Sequence, residues 1–87
     1  MFSQKIYAEI ARVTQKALDE MPSRKTIDQV TVFLGYVQLS SRKVPGYDAE
    51  FTTAIERLRE LARADNRGEL TDALEALGHE MDQERTA

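Results

Sequence analysis

The chain has no cysteine and no tryptophan, a single histidine, two prolines and four glycines in 87 residues. Without cysteine there is no disulfide framework, no thiolate nucleophile and no cysteine-based zinc site. The glycines stand apart at positions 35, 46, 68 and 78, so no glycine-rich loop can cradle a phosphate. Long apolar runs are missing too. The N-terminal "MFSQKIYAEIARV" is interrupted by Lys5, Glu9 and Arg12, which excludes the core of a signal peptide. No stretch is long enough to span a bilayer, and a cytoplasmic home without membrane contact is the expectation.

What remains is ordinary for a globular domain: 41% apolar and 31% charged residues. Disorder would need fewer apolar residues and a stronger charge imbalance. Residues 1–87 are expected to form one domain, near the size at which chains often pair to hide apolar surface. The net charge of −3 is unevenly spread. Residues 1–47 carry seven Lys/Arg against four Asp/Glu, giving +3, and residues 48–87 carry five against eleven, giving −6. Such a split can mark two partner surfaces or docking between copies, and its simplest reading is a solvated acidic face. A chain that is not basic overall argues weakly for nucleic acid.

Helical periodicity runs through four segments. Phe2, Ile6, Ile10, Val13, Ala17 and Met21 share one arc, and Tyr7, Ala11, Thr14 and Leu18 an adjoining one. Ser3 is a natural N-cap, and Pro22 ends the segment. "TIDQ", Thr26–Gln29, reads as a capping box. In the second segment, Ile27, Val30, Phe33, Leu34 and Val37 form one stripe and Val32, Tyr36 and Leu39 another. "VTVFL" and "YVQL" also suit strands, but a lone Gly35 is no hairpin turn. Helix is the better reading. Pro45 and Gly46 suit a type II turn, and Asp48 an N-cap. The third stripe is Phe51, Ala54, Ile55, Leu58, Leu61 and Ala62, with Glu56–Arg59 and Glu60–Arg63 as i,i+3 pairs on the far side. Asn66 is placed as the cap of the fourth segment, whose stripe is Leu70, Ala73, Leu74, Leu77 and Met81. "DQERTA" is expected to fray. The fold class is all-α: a compact four-helix up-and-down bundle, or an irregular variant with a central second helix.

Patterns for chemistry are scarce. His79 could share a metal with Glu75 and Asp82, but a zinc site wants three or four firm ligands, and an exposed acidic helix supplies neither number nor support. No serine sits in a nucleophile elbow, and no carboxylate has an apolar setting that predicts general-acid work. The expectation is therefore a non-enzymatic protein without cofactor or metal. It would act by binding another protein, as a regulator, inhibitor, immunity-type factor or assembly chaperone, with homodimerisation a further expectation. The surface expected to do this is Val32, Tyr36 and Leu39, joined by Tyr7 and Leu18 if helices one and two are hairpin partners. The acidic face of Asp72, Glu75 and Asp82 would attract a basic surface if it is functional. The competing reading is a helix-turn-helix regulator bent at Gly35, with Gln38, Ser41, Arg42 and Lys43 on DNA. Pro45 and Gly46 would leave such a recognition helix under two turns.

Overall fold

The computed structural model describes residues 2–42, 46 and 48–86. Among them are four helices and no strand: α1 Gln4–Glu20, α2 Arg24–Ser41, α3 Asp48–Ala64 and α4 Gly68–Thr86. The chain is a four-helix bundle in which α1 packs on α4, α4 on α3 and α3 on α2, while α1 and α2 are the most loosely packed of the neighbours around the ring. The end of α1 meets the start of α4, and the start of α2 meets the end of α3, so both pairs are antiparallel. α2 runs unbroken through Gly35. Hence neither a strand pair nor a helix-turn-helix bend exists there.

The apolar stripes become the core as their periodicity dictates. Ile6, Ile10, Val13 and Ala17 of α1 meet Leu70, Ala73, Leu74 and Leu77 of α4 together with Phe51, Ile55, Leu58 and Ala62 of α3. From α2 only Val30 and Phe33 are fully committed, with Leu34, Tyr36 and Val37 partly buried against them. The second helix is therefore a side of the bundle and not its centre. Phe51 is the hub at one end of the core. Its ring lies 5.2 Å from Phe2, 5.7 Å from Phe33 and 6.1 Å, edge-on, from Tyr36.

The helix ends correct three sequence expectations. Ser3 caps α1 as expected, its hydroxyl accepting from the Ile6 amide at 3.2 Å. α1 stops before Pro22, with Met21 in the left-handed region at φ 45°. The capping box, however, lies one turn too late. The cap of α2 is Ser23, and Thr26 is a fully buried residue of the first turn. The partner comes from just beyond the end of α3: the Asp65 carboxylate accepts from the Ser23 amide and, at 3.4 Å, from the Thr26 hydroxyl. Asn66 does not cap α4. It sits left-handed at φ 57° and closes α3 in a Schellman motif, its amide donating to the Arg63 carbonyl and that of Arg67 to the Ala62 carbonyl. The cap of α4 is again supplied from elsewhere, because Glu20 accepts from the Leu70 amide at 2.6 Å. "DQERT" is helical to Thr86, and the Ser3 hydroxyl donates to Glu84 near its end. α3 begins at Asp48, and Gly46 has the positive φ, 84°, that a type II turn requires. Pro45 lies outside the described residues.

Three outcomes test this account. First, the Asp65 carboxyl is held below its ordinary range, chiefly by the Ser23 amide, which outweighs the opposing desolvation with help from the Ser23 hydroxyl, the Arg67 charge and Thr26. A depressed folded pKa adds stability above the unfolded value, near pH 4, and that stability is lost as pH falls through the folded value. Thermal melts should therefore show Asp65→Asn less stable than wild type at neutral pH, with the gap closing below about pH 4. A gap independent of pH would remove the ionic explanation. Second, Phe51→Ala should cost about 3–5 kcal/mol in urea unfolding, the usual cost of emptying a core aromatic site. A loss under 1 kcal/mol would show that Phe51 is not the hub. Third, Gly35 is exposed, and a Cβ built on it meets nothing within 4 Å. Gly35→Ala should accordingly raise stability by about 0.5–1 kcal/mol, whereas a close helix contact would make it destabilising.

Candidate partner-binding surface

Two sides of α2 flank its buried stripe, and they have different neighbours. On one side, Gln29, Val32 and Tyr36 border a groove of about 360 Å³ whose other wall is Ala49, Thr53, Ala54 and Arg57 of α3. Gln29 closes part of it by donating to the Ala54 carbonyl at 3.5 Å. Val32 is 46% exposed, while Tyr36 and Leu39 are half-buried. The second stripe is thus divided by depth. Tyr36 is anchored in the core by its edge-on contact with Phe51, and Val32 stands on the outside. Glu50 and Arg57, one of each sign, stand at the rim. A tyrosine held by packing beside an exposed valine offers apolar area whose side chains need little ordering on binding.

Tyr7 and Leu18 do not join this surface. Tyr7 packs edge-on against Phe2 at 5.8 Å, and Leu18, 66% exposed, lies at the opposite end of α1. The expectation that placed them beside the Val32 stripe took helices one and two as hairpin partners. α1 instead turns to α4, with Lys16 3.8 Å from Glu69 and Glu20 on the Leu70 amide, and α2 turns its second stripe to α3. Sequence periodicity locates a stripe on a helix but not the neighbour that stripe will face.

The acidic face of α4 is also divided. Glu75 is paired with Arg63 of α3 at 2.6 Å. The i,i+3 reading of Glu60 with Arg63 missed this, because an arginine at a helix boundary can reach its neighbour as readily as its own helix. Asp72 is exposed near the α3–α4 turn beside Arg63 and Arg67, and Asp82 borders a second groove with Arg59. Arginines from α3 therefore interleave with the carboxylates, and the face is less acidic than the isolated helix reads. The His79 Nε2 lies 3.0 Å from the Gln83 amide nitrogen, one turn on. Among the described residues, no three of His, Cys, Asp and Glu gather where they could hold a metal.

The residues named for DNA contact are arranged on a continuous helix and its end. Gln38 is exposed, Ser41 is the last residue of α2, and Arg42 follows as its exposed C-cap. Lys43 lies outside the described residues. No helix among the described residues is long and apolar enough to cross a membrane. Comparison with protein-family models, curated proteins and solved structures finds no match for this chain.

Proposed function

We propose that this chain is a non-enzymatic protein that acts by binding another protein in the α2–α3 groove, as a regulator, inhibitor, immunity-type factor or assembly chaperone of the cytoplasm. The supporting observation is the exposed Val32 beside the core-anchored Tyr36, facing small α3 residues, with one charge of each sign at the rim. The partner best suited to this groove is a helix or extended segment offering an apolar side chain to the floor between Val32 and Ala49. Beside the chain's own rim residues it would set an acidic group near Arg57 and a basic one near Glu50. Rim charges of this kind mainly steer association and fix orientation, while the apolar contact supplies affinity. The helix-turn-helix alternative gains no observation here, since its turn is absent and its helix continuous.

A photo-crosslinking residue placed at Val32 in cells should capture a discrete protein, whereas the same residue at Glu60, on the outer side of α3, should not. Val32→Glu should weaken the captured interaction at least tenfold with unchanged helicity, the effect of placing a charge in an apolar contact. Tyr36→Phe should change it little, because the ring contact with Phe51 is kept. Equal capture from both positions, or full affinity in Val32→Glu, would refute the groove as the binding surface.

A further inference from the structure

One stretch of α2 stands apart in charge. Residues 29–41 are thirteen positions without Asp, Glu, Lys, Arg or His, and the next longest such run, residues 51–55, has five. In a chain with 31% charged residues, the middle of this helix is neutral on every side. For Val30, Phe33 and Ser40 burial is reason enough. Thr31, Val32, Gly35 and Gln38, however, are exposed, where charged residues ordinarily stand.

The outer side of α2 follows a heptad spacing. Lys25, Asp28, Val32, Gly35, Leu39 and the C-cap Arg42 alternate steps of three and four. With successive residues set about 100° apart, all six fall within an arc of about 100°. Such a row is the seam that one helix offers another, here with small and apolar residues in the middle and charges at both ends. Leu39 is half-buried yet is not among the apolar residues that pack on the core. Gly35 lies at the centre of the row. Among residues other than proline, glycine is the poorest helix former, and nothing within the chain requires it at this position. Its φ is not positive, and a Cβ built on it meets nothing within 4 Å. On an exposed face it leaves a gap between Val32 and Leu39 that a large side chain from outside can enter.

We infer that the partner of the Val32 surface is an amphipathic helix laid along the outer side of α2, with a large apolar side chain over Gly35 and acidic residues near both of its ends. This rests on the α2–α3 groove as the binding surface, and it adds the partner's form and charge. Charge selects the occupant. Among the described residues, the ends of the row carry Arg24 and Lys25 on one side and Arg42 on the other, against Asp28 alone. Asp28 is already taken up by Arg24 at 3.2 Å, while Lys25 and Arg42 have no ion-pair partner among the described residues. Lys25 and Arg42 are seventeen positions apart. At about 1.5 Å per residue they are separated by ~25 Å, so the partner's acidic groups would stand about five turns from each other. A second copy would bring the wrong charge, because a two-fold contact sets three cations and one carboxylate against the same set. Nucleic acid calls for cations along the whole contact, and the neutral middle of α2 offers none.

Two synthetic helical peptides test this. Both carry leucine at the first and fourth positions of three heptads; one has paired glutamates at each end and the other paired lysines. Fluorescence anisotropy should show wild-type protein binding the glutamate-ended peptide at least tenfold more tightly than the lysine-ended one. Lys25→Glu with Arg42→Glu should reverse that preference. Gly35→Leu should weaken the glutamate-ended peptide at least tenfold and yet raise the melting temperature, since leucine favours helix and the space above Gly35 is open. A glycine with a purely structural role could not move the two in opposite directions. Equal binding of both peptides, binding of neither, or unchanged affinity in Gly35→Leu would overturn the inference. So would a wild-type dimer that Gly35→Leu dissolves, which would put a second copy on this face, or duplex DNA that competes with the peptide. Capture at Val32 in cells with neither peptide bound would overturn this inference and leave the groove standing, whereas full affinity of Val32→Glu for its captured partner would remove the groove itself.

Discussion

Three of the four helix termini at one pole of the bundle are satisfied by a neighbouring element, and the arrangement of the helices depends on it. A helix start leaves amide groups without partners, and it attracts negative charge. At the start of α2 the acceptor is Asp65 from the end of α3, and at the start of α4 it is Glu20 from the end of α1. Arg67 adds a contact in the other direction, reaching the Met21 carbonyl at 3.4 Å where α1 ends. Each carboxylate does for a distant helix what a local side chain usually does for its own, so the caps form only when the pairs α2–α3 and α4–α1 are correctly docked. Helix capping and tertiary topology thereby become one cooperative event. A chain of 87 residues with a modest core gains from such coupling, because marginal helices and marginal packing then stabilise each other.

The opposite pole is held differently. There the rings of Phe2, Phe33 and Tyr36 converge on Phe51, and Tyr7 joins through Phe2. Aromatic rings bring much buried area and a preference for tilted or edge-on contact. The bundle is therefore ionic and hydrogen-bonded at one end and aromatic at the other. Acid weakens the first end by protonating Asp65. This polarity also explains why the groove beside Tyr36 is well formed: its floor is part of the rigid aromatic end. The exposed residues at Pro22 belong to the other end, where polar caps hold the helix termini and leave Leu18, Met21 and Ile27 uncovered.

The four helices and their buried stripes were legible because 3.6-residue periodicity is a local property. Ile6, Ile10, Val13 and Ala17, or Leu70, Ala73, Leu74 and Leu77, can be read without knowing any neighbour. Ser3 was legible for the same reason, since its partner Ile6 is three residues away. The caps of α2 and α4 were not, because Asp65 lies 42 residues from Ser23 and Glu20 lies 50 residues from Leu70. Thr26 misled because it combines a capping residue type with a capping position relative to Gln29, while its burial against Asp65 is invisible in the sequence. The same limit scattered the candidate surface. Val32 and Leu18 each stand out as spare apolar residues, but only the packing of α1 on α4 reveals that they look away from each other.

Charge placement within α1 carries the argument one step further than apolar periodicity can. The apolar stripe says which side of α1 is buried and leaves two flanks undetermined. The charged flank is then fixed by Lys16 and Glu20, whose partners are both on α4. The neutral flank is left with α2 as its only possible neighbour within the bundle, and α2 does not approach closely enough to cover it. The two flanks of α2 divide in the same manner, one closed by the Gln29 contact to Ala54 and one open. A four-helix ring with three closely packed seams and one looser seam gathers its exposed apolar residues beside the looser one: Leu18, Met21 and Ile27 all stand where α1 gives way to α2.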